Sequence, residues 1–303
     1  MNDQAQALRE MVKKTGNGAE SPEKGTENVG AKPVKRTQPL AKVVSITSGK
    51  GGVGKSFFTV NLALALHQQG LRVLIIDTDF GLANIDVMLG MPARYNLSHL
   101  LKCEHTMQEI VQEWHDGIQF ISGGSGIGEL LNMNEEQLTT VIDNFSLLSD
   151  PIDIILCDTG AGVNEMVLRI AAASTETIVV TTPEPTAILD AYALLKTLSQ
   201  NDDTYNVRLV MNKAVSQKEA ENAINSFLHI TKKYLGKQLE PLGSILYDNY
   251  VATSIKQQIP LLVSQPKSVT AKNIIAIAET LIDLPSQKKP SGRLAQLFSR
   301  WLQ

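Results

Sequence analysis

The sequence predicts an α/β fold with a mostly parallel central sheet and helices on both faces. Two observations carry that expectation. From residue 42 to about residue 284, short, continuously apolar runs alternate with longer amphipathic ones, the pattern of doubly buried strands and the helices that cover them. The first apolar run, Val43-Val44-Ser45-Ile46, also delivers a glycine-rich loop straight into a helical pattern, a strand–loop–helix unit of such folds. Strands are expected over 43–47, 73–77, 118–122, 152–157, 177–181, 207–211 and 242–246, and helices near 56–69, 135–145, 164–173, 187–198, 218–233, 251–257 and 269–282. Gly70 should end the first helix. No repeat or linker divides this region, so one domain is expected, with ligands at the carboxyl ends of its strands.

Before that domain, residues 1–41 fall into two parts. Ala5, Leu8, Met11 and Val12 share one helical face, but a helix this short is marginal in water on its own. Residues 16–39 are rich in Gly, Pro, Lys, Glu and Thr and read as a flexible linker. After the domain, residues 285–290 form a basic, proline-containing spacer. Leu294, Leu297, Phe298, Trp301 and Leu302 then recur at i, i+3, i+4, i+7 and i+8. From Ser286 onward there is no acidic side chain. A basic amphipathic segment with Trp and Phe reads as an interfacial anchor for an anionic membrane surface; docking on the protein's own core or on a dimer partner is the alternative.

Composition narrows the function classes. The formal net charge of -3 over 303 residues provides no global attraction to nucleic acid or anionic lipid, so any such contact must be local; direct nucleic-acid binding is not expected. Two cysteines, Cys103 and Cys157, stand far apart without a C-x-x-C pair, which suggests neither a disulfide framework nor a metal site. No apolar run reaches about eighteen residues, and a cytoplasmic protein reversibly bound to the inner face of the membrane is expected.

The chemistry starts at Ser48-Gly49-Lys50-Gly51-Gly52-Val53-Gly54-Lys55-Ser56, which fits the phosphate-binding pattern G-x-x-x-x-G-K-[ST]. Its glycines let backbone N–H groups from Gly49 to Gly54 turn around an anion, and the following helix aims its dipole at the same point. Lys55 would reach the β/γ-phosphates of a nucleotide and the Ser56 hydroxyl would be one ligand of Mg²⁺. At the end of the second strand, Asp77 and Asp79 stand at i and i+2 and point the same way on an extended segment. Turn-forming or capping aspartates after a strand are the alternative. Asp158-Thr159-Gly160-Ala161-Gly162 follows another buried run, and Asn212 ends a later one. A turn-forming Asn would also fit there.

Lys50-Gly51-Gly52-Val53-Gly54-Lys55-Ser56 resembles the deviant Walker A motif of the MinD/ParA family of P-loop ATPases. Alone, Lys50 would pass for a solvated charge; the resemblance implies that it reaches across an ATP-sandwich homodimer to the partner's nucleotide. It further implies that Asp79 orients the attacking water, that Asp77 supports the metal's water shell, that Asp158 holds Mg²⁺ through water, and that Asn212 contacts the adenine. The region 248–266 resembles a loop that closes over the base. Thr182-Pro183-Glu184-Pro185-Thr186, with Asp190 beyond, resembles an interface segment, although its prolines also serve the helix entrance. Asp3-Gln4-Ala5-x-x-Leu8-Arg9 looks like the N-terminal motif of the FlhG group, also called FleN or YlxH, relatives of MinD that control flagellar number. That likeness implies an FlhF-like GTPase as a partner for Asp3, Gln4, Ala5, Leu8 and Arg9, and at family level a flagellar transcriptional activator. The Walker A resemblance, with Lys50 supplied in trans, implies slow, dimer-dependent ATP hydrolysis. A ParA-type DNA-positioning ATPase and an iron–sulfur relative are the rivals, the second disfavoured by the missing C-x-x-C.

Overall fold

The computed structural model describes residues 41–79, 84–102, 104–114, 117–124, 152–201 and 206–283. Among the described residues, eight strands form one sheet: β1 (Lys42–Ser48), β2 (Val73–Thr78), β3 (Gln112–Trp114), β4 (Ile118–Ile121), β5 (Ile154–Ala161), β6 (Glu176–Thr181), β7 (Val207–Ala214) and β8 (Glu240–Leu246). Their spatial order is β3-β4-β2-β5-β1-β6-β7-β8. Every pairing is parallel except β3 with β4, which is antiparallel at the edge. Each expected strand is present. The edge strand β3 was not expected, and the helix anticipated at 135–145 lies outside the described residues.

The apolar runs are continuous because both faces of the sheet are covered. Along β1, Val44 and Ile46 belong to one core and Val43 to the other. Along β2 and β5, Ile75 and Leu156 face the first core, while Leu74, Ile76, Ile155 and Cys157 face the second. That alternation is the period-2 geometry of a strand applied twice. The first core is filled by α1 (Lys55–Gln68), whose Phe58, Leu62, Ala63, Ala65 and Leu66 are fully buried. An apolar surface on all sides suits a helix enclosed by the protein. Gly70 follows its C-cap at φ +87°, and its N–H donates to His67 O at 2.8 Å.

Between β2 and β3 run three short helices, α2 (Ile85–Leu89), α3 (Leu97–Leu101) and α4 (Met107–Ile110). After β5 come α5 (Glu165–Ala173), α6 (Pro185–Asn201), α7 (Gln217–Leu235), α8 (Asn249–Gln257), α9 (Leu261–Ser264) and α10 (Val269–Asp283). Ile274, Ile277, Ala278 and Leu281 of α10 complete the core around α1.

The amino ends of the central strands carry a charged network. Arg208 on β7 is buried between Glu176 of β6 and Glu240 of β8, pairing with both. Lys42 at the start of β1 lies 2.8 Å from Glu176 and donates to Leu281 O, near the end of α10, at 3.0 Å. The carboxyl ends, at the other pole of the sheet, hold the chemical residues.

Candidate functional site

The central place of β1, between β5 and β6, brings the glycine-rich loop against the ends of its neighbours. Gly162 N–H donates to Ser48 O at 2.8 Å and so fastens the end of β5 to the start of the loop. Gly49 is dictated by close approach: a Cβ there would lie 2.2 Å from Asp190 C and O in α6. Gly54 is dictated twice, by φ +92° and by Asn212 Nδ2, which a Cβ would meet at 2.5 Å. Residues without a side chain are therefore built into the loop's packing as well as its curvature.

Lys55 opens α1 with its Nζ 3.0 Å from Asp158 Oδ1. Thr59, one turn further along the same helix, donates its hydroxyl to that oxygen at 2.9 Å. Asp158 is fully buried, and its Oδ2 has no hydrogen-bond partner among the described residues. Beside it, in parallel register, stands Asp77, also fully buried. Its Oδ1 accepts from Asp79 N–H at 3.0 Å, and its Oδ2 accepts from the N–H groups of Asn84 at 2.9 Å and Ile85 at 3.2 Å. Burial, and then the negative charge of Asp158, push the Asp77 carboxyl up to about 7, against the pull of those three amides. Cys157 shares the buried environment, and burial followed by Asp158 pushes its thiol up, so it stays protonated.

A cavity of about 540 Å³ opens above these groups. Gly51, Gly52, Val53, Gly54, Lys55, Ser56, Asp79 and Asn212 line it. Gly49, Asp77 and Asp158 are not among its lining residues; the two buried carboxylates lie beneath, with Lys55 reaching down to one of them. Its far wall includes Met88 of α2, Tyr247 and Asp248 at the end of β8, and Val251, Ala252 and Ile255 of α8. One end thus offers backbone amides and a lysine, the other a mostly apolar surface. An anion attached to a flat apolar group fits that division.

Lys50 is outside this lining. Its Nζ lies 3.4 Å from Glu184 Oε2 and 3.3 Å from Thr186 Oγ1, at the start of α6. Both charged side chains are largely exposed, so the pair is a weak one. Asn212 donates Nδ2–H to Val53 O at 2.7 Å and accepts from Lys213 N–H at 2.8 Å. Sequence reasoning missed Thr59 and Lys213. Thr59 had a signal, its four-residue spacing from Lys55; Lys213 acts through a backbone irregularity with no local signature. The terminal residues Asp3, Gln4, Ala5, Leu8, Arg9, Leu294, Leu297, Phe298, Trp301 and Leu302 lie outside the described residues.

A family model described as "ParA: NUBPL iron-transfer P-loop NTPase" matches residues 39–282. The chain belongs to the ParA family of P-loop NTPases. The antiactivator FleN of Pseudomonas aeruginosa is 32% identical over 262 residues, which cover 86% of this chain and 94% of that protein. The flagellum site-determining protein YlxH of Helicobacter pylori is 34% identical over 267 residues, covering 86% and 90%. These are members of the FlhG group that the terminal motif resembles. Among solved structures, MinD of Pyrococcus horikoshii complexed with Mg-ADP superposes with a TM-score of 0.65 at 23% identity, over 80% of this chain and 97% of that one. The fold is therefore that of MinD-type P-loop proteins. Among the described residues, no group of three or more His, Cys, Asp or Glu is placed to hold a metal ion by itself.

Proposed function

We propose that this chain is an ATP-dependent, dimerising switch of the FlhG type that regulates flagellar number and placement at the membrane. The observation that carries the nucleotide part is the buried Asp158 Oδ2, without a hydrogen-bond partner among the described residues, beside Lys55 and under a glycine-rich loop whose cavity holds room for a nucleotide. A buried carboxylate oxygen without a donor is costly, and a hydrated Mg²⁺ would bring that donor. The residues present fit ATP with Mg²⁺. The loop amides and Lys55 would hold the phosphates, while Ser56 and Asp158, with Asp77 behind, would hold the metal and its water shell. When bound, ATP supplies the transferable phosphoryl group and Mg²⁺ neutralises part of its charge.

The remaining roles fall to this chain's own side chains. Asp79, half-buried at the cavity edge, orients and polarises the attacking water. Asn212 and the α8 wall grip the base. Lys50 leaves Glu184 and enters the partner's site when two copies meet, so hydrolysis depends on dimerisation and is slow. The pair of copies then presents two amphipathic C-terminal segments to an anionic bilayer, which strengthens a contact that one segment makes only weakly. At the membrane, Asp3, Gln4, Ala5, Leu8 and Arg9 stimulate an FlhF-like GTPase. The P. aeruginosa relative is named an antiactivator, and restraint of a flagellar transcriptional activator is the corresponding role here.

The test is co-sedimentation with anionic liposomes in ADP and in a non-hydrolysable ATP analogue, using the full chain and a chain lacking residues 294–303. Sedimentation of the full chain alone, and only with the ATP analogue, is the expected result. A salt-sensitive shift of DNA by the ATP-bound chain without liposome binding would point to a ParA-type positioning ATPase instead.

A further inference from the structure

Two consecutive residues at the end of β7 hold two consecutive carbonyls of the glycine-rich loop. Asn212 Nδ2 donates to Val53 O at 2.7 Å, and Lys213 Nζ donates to Gly52 O at 2.7 Å. In a regular strand, neighbouring side chains point to opposite faces, so both could not reach one loop. Here the backbone is re-aimed. Lys213 sits at φ +60°, and the β7–β8 register shifts between Met211 and Ala214. Left-handed backbone at a lysine is costly and persists only where the surroundings impose it. Register irregularities of this kind redirect side chains, commonly beside functional sites.

The geometry of the peptide bond supplies the consequence. In a trans peptide the C=O and N–H point in opposite directions. The Gly52 carbonyl shares its peptide with the Val53 N–H, and the Val53 carbonyl shares its peptide with the Gly54 N–H. Drawing both carbonyls toward β7 turns both amides the other way. We infer that Asn212 and Lys213 form a clamp that aims the Val53 and Gly54 amides into the phosphate site, making Lys213 a positioning residue for nucleotide binding. The clamp packs directly on the loop: a Cβ at Gly54 would lie 2.5 Å from Asn212 Nδ2 and 3.8 Å from Lys213 Cε. This inference rests on the reading of the cavity as a nucleotide site, and it adds a second duty for Asn212.

The test uses the full chain with Lys213→Met, Lys213→Gly and Lys213→Arg. Methionine keeps the length and removes the donor, glycine also relieves the left-handed backbone, and arginine keeps a donor. ADP affinity is measured by titration calorimetry, and backbone order parameters of Val53 and Gly54 are measured by NMR without nucleotide. In the Met and Gly variants, ADP binding should weaken about tenfold, equivalent to about 1.4 kcal/mol. Their Val53 and Gly54 order parameters should fall from about 0.85 toward 0.6 or below. Arginine should restore both. Order parameters that stay native in Met and Gly overturn the clamp, even with weakened ADP binding, since Lys213 would then be touching the ligand directly. Arginine that fails to restore the loop's rigidity overturns it too. The NMR measurement needs no nucleotide, so it decides the clamp even for a chain that binds none.

Discussion

Lys55→Met in nucleotide-free protein isolates the physical basis of the site from its function. The Lys55 ammonium lies 3.0 Å from Asp158 Oδ1, and both side chains are nearly inaccessible to solvent. Removing one partner of a buried ion pair typically costs about 3–5 kcal/mol, because it strands the other charge. That loss has a ceiling: a stranded carboxylate takes up a proton, and protonating an ordinary carboxylate at pH 7 costs about 4 kcal/mol. At pH 5 the same step costs only about 1.5 kcal/mol. The variant should therefore melt roughly 6–16 °C below the native protein at pH 7, taking about 2–4 °C per kcal/mol for a domain of this size. At pH 5 the gap should shrink by more than half. Thermal and urea denaturation at both pH values read the effect. Adding Asp158→Asn should recover most of the stability, because no isolated charge is left behind. A variant that melts with the native protein at pH 7, or a loss that is the same at pH 5, refutes Lys55 as the counter-charge of Asp158.

Further outcomes follow from the same geometry. Gly49→Ala places a Cβ 2.2 Å from the Asp190 backbone, so the loop or α6 must move by about 1 Å; stability should fall by about 1–3 kcal/mol and the rate of phosphate release from ATP by about 100-fold, read by melting and by turnover. Asp77, held near 7 by burial and Asp158, binds its proton more tightly in the folded chain than in the unfolded one. In metal-free protein its contribution to stability is therefore greatest below about pH 4 and declines by an amount of order 4 kcal/mol as pH rises to 7. Whatever its baseline, Asp77→Asn should flatten that slope in a pH series of melting curves. Asp79→Ala should retain nucleotide affinity while phosphate release falls by about 100-fold or more; undiminished turnover would remove Asp79 from its proposed role.

What could be read from the residues alone was whatever local chemistry dictates. The run leading to Ser48, the spacing of Gly49, Gly54, Lys55 and Ser56, and the acidic ends of β2 and β5 each follow from a short-range rule. The topology then places β5 directly between β1 and β2, which sets Asp158 within reach of Lys55. Short elements were not legible. β3 has three residues, too few to show a period, and it exists because Trp114 buries its ring and donates Nε1–H to Leu89 O at 2.8 Å. Helices α2, α3, α4 and α9 span only four or five residues, so caps and packing define them rather than periodicity. Partners distant in the chain were equally hidden. Glu184 meets Lys50 across 134 positions and Lys213 meets Gly52 across 161. Arg208, which would be expected at the surface, is buried because Glu176 and Glu240 flank it on the neighbouring strands.

The hydrogen bond from Lys42 to Leu281 joins the opening residue of the first strand to the final turn of the last described helix. The two ends of the described core therefore meet at the pole of the sheet away from the glycine-rich loop. A short peptide bridging them, with new ends cut in a surface turn elsewhere, should give a circularly permuted core that still assembles.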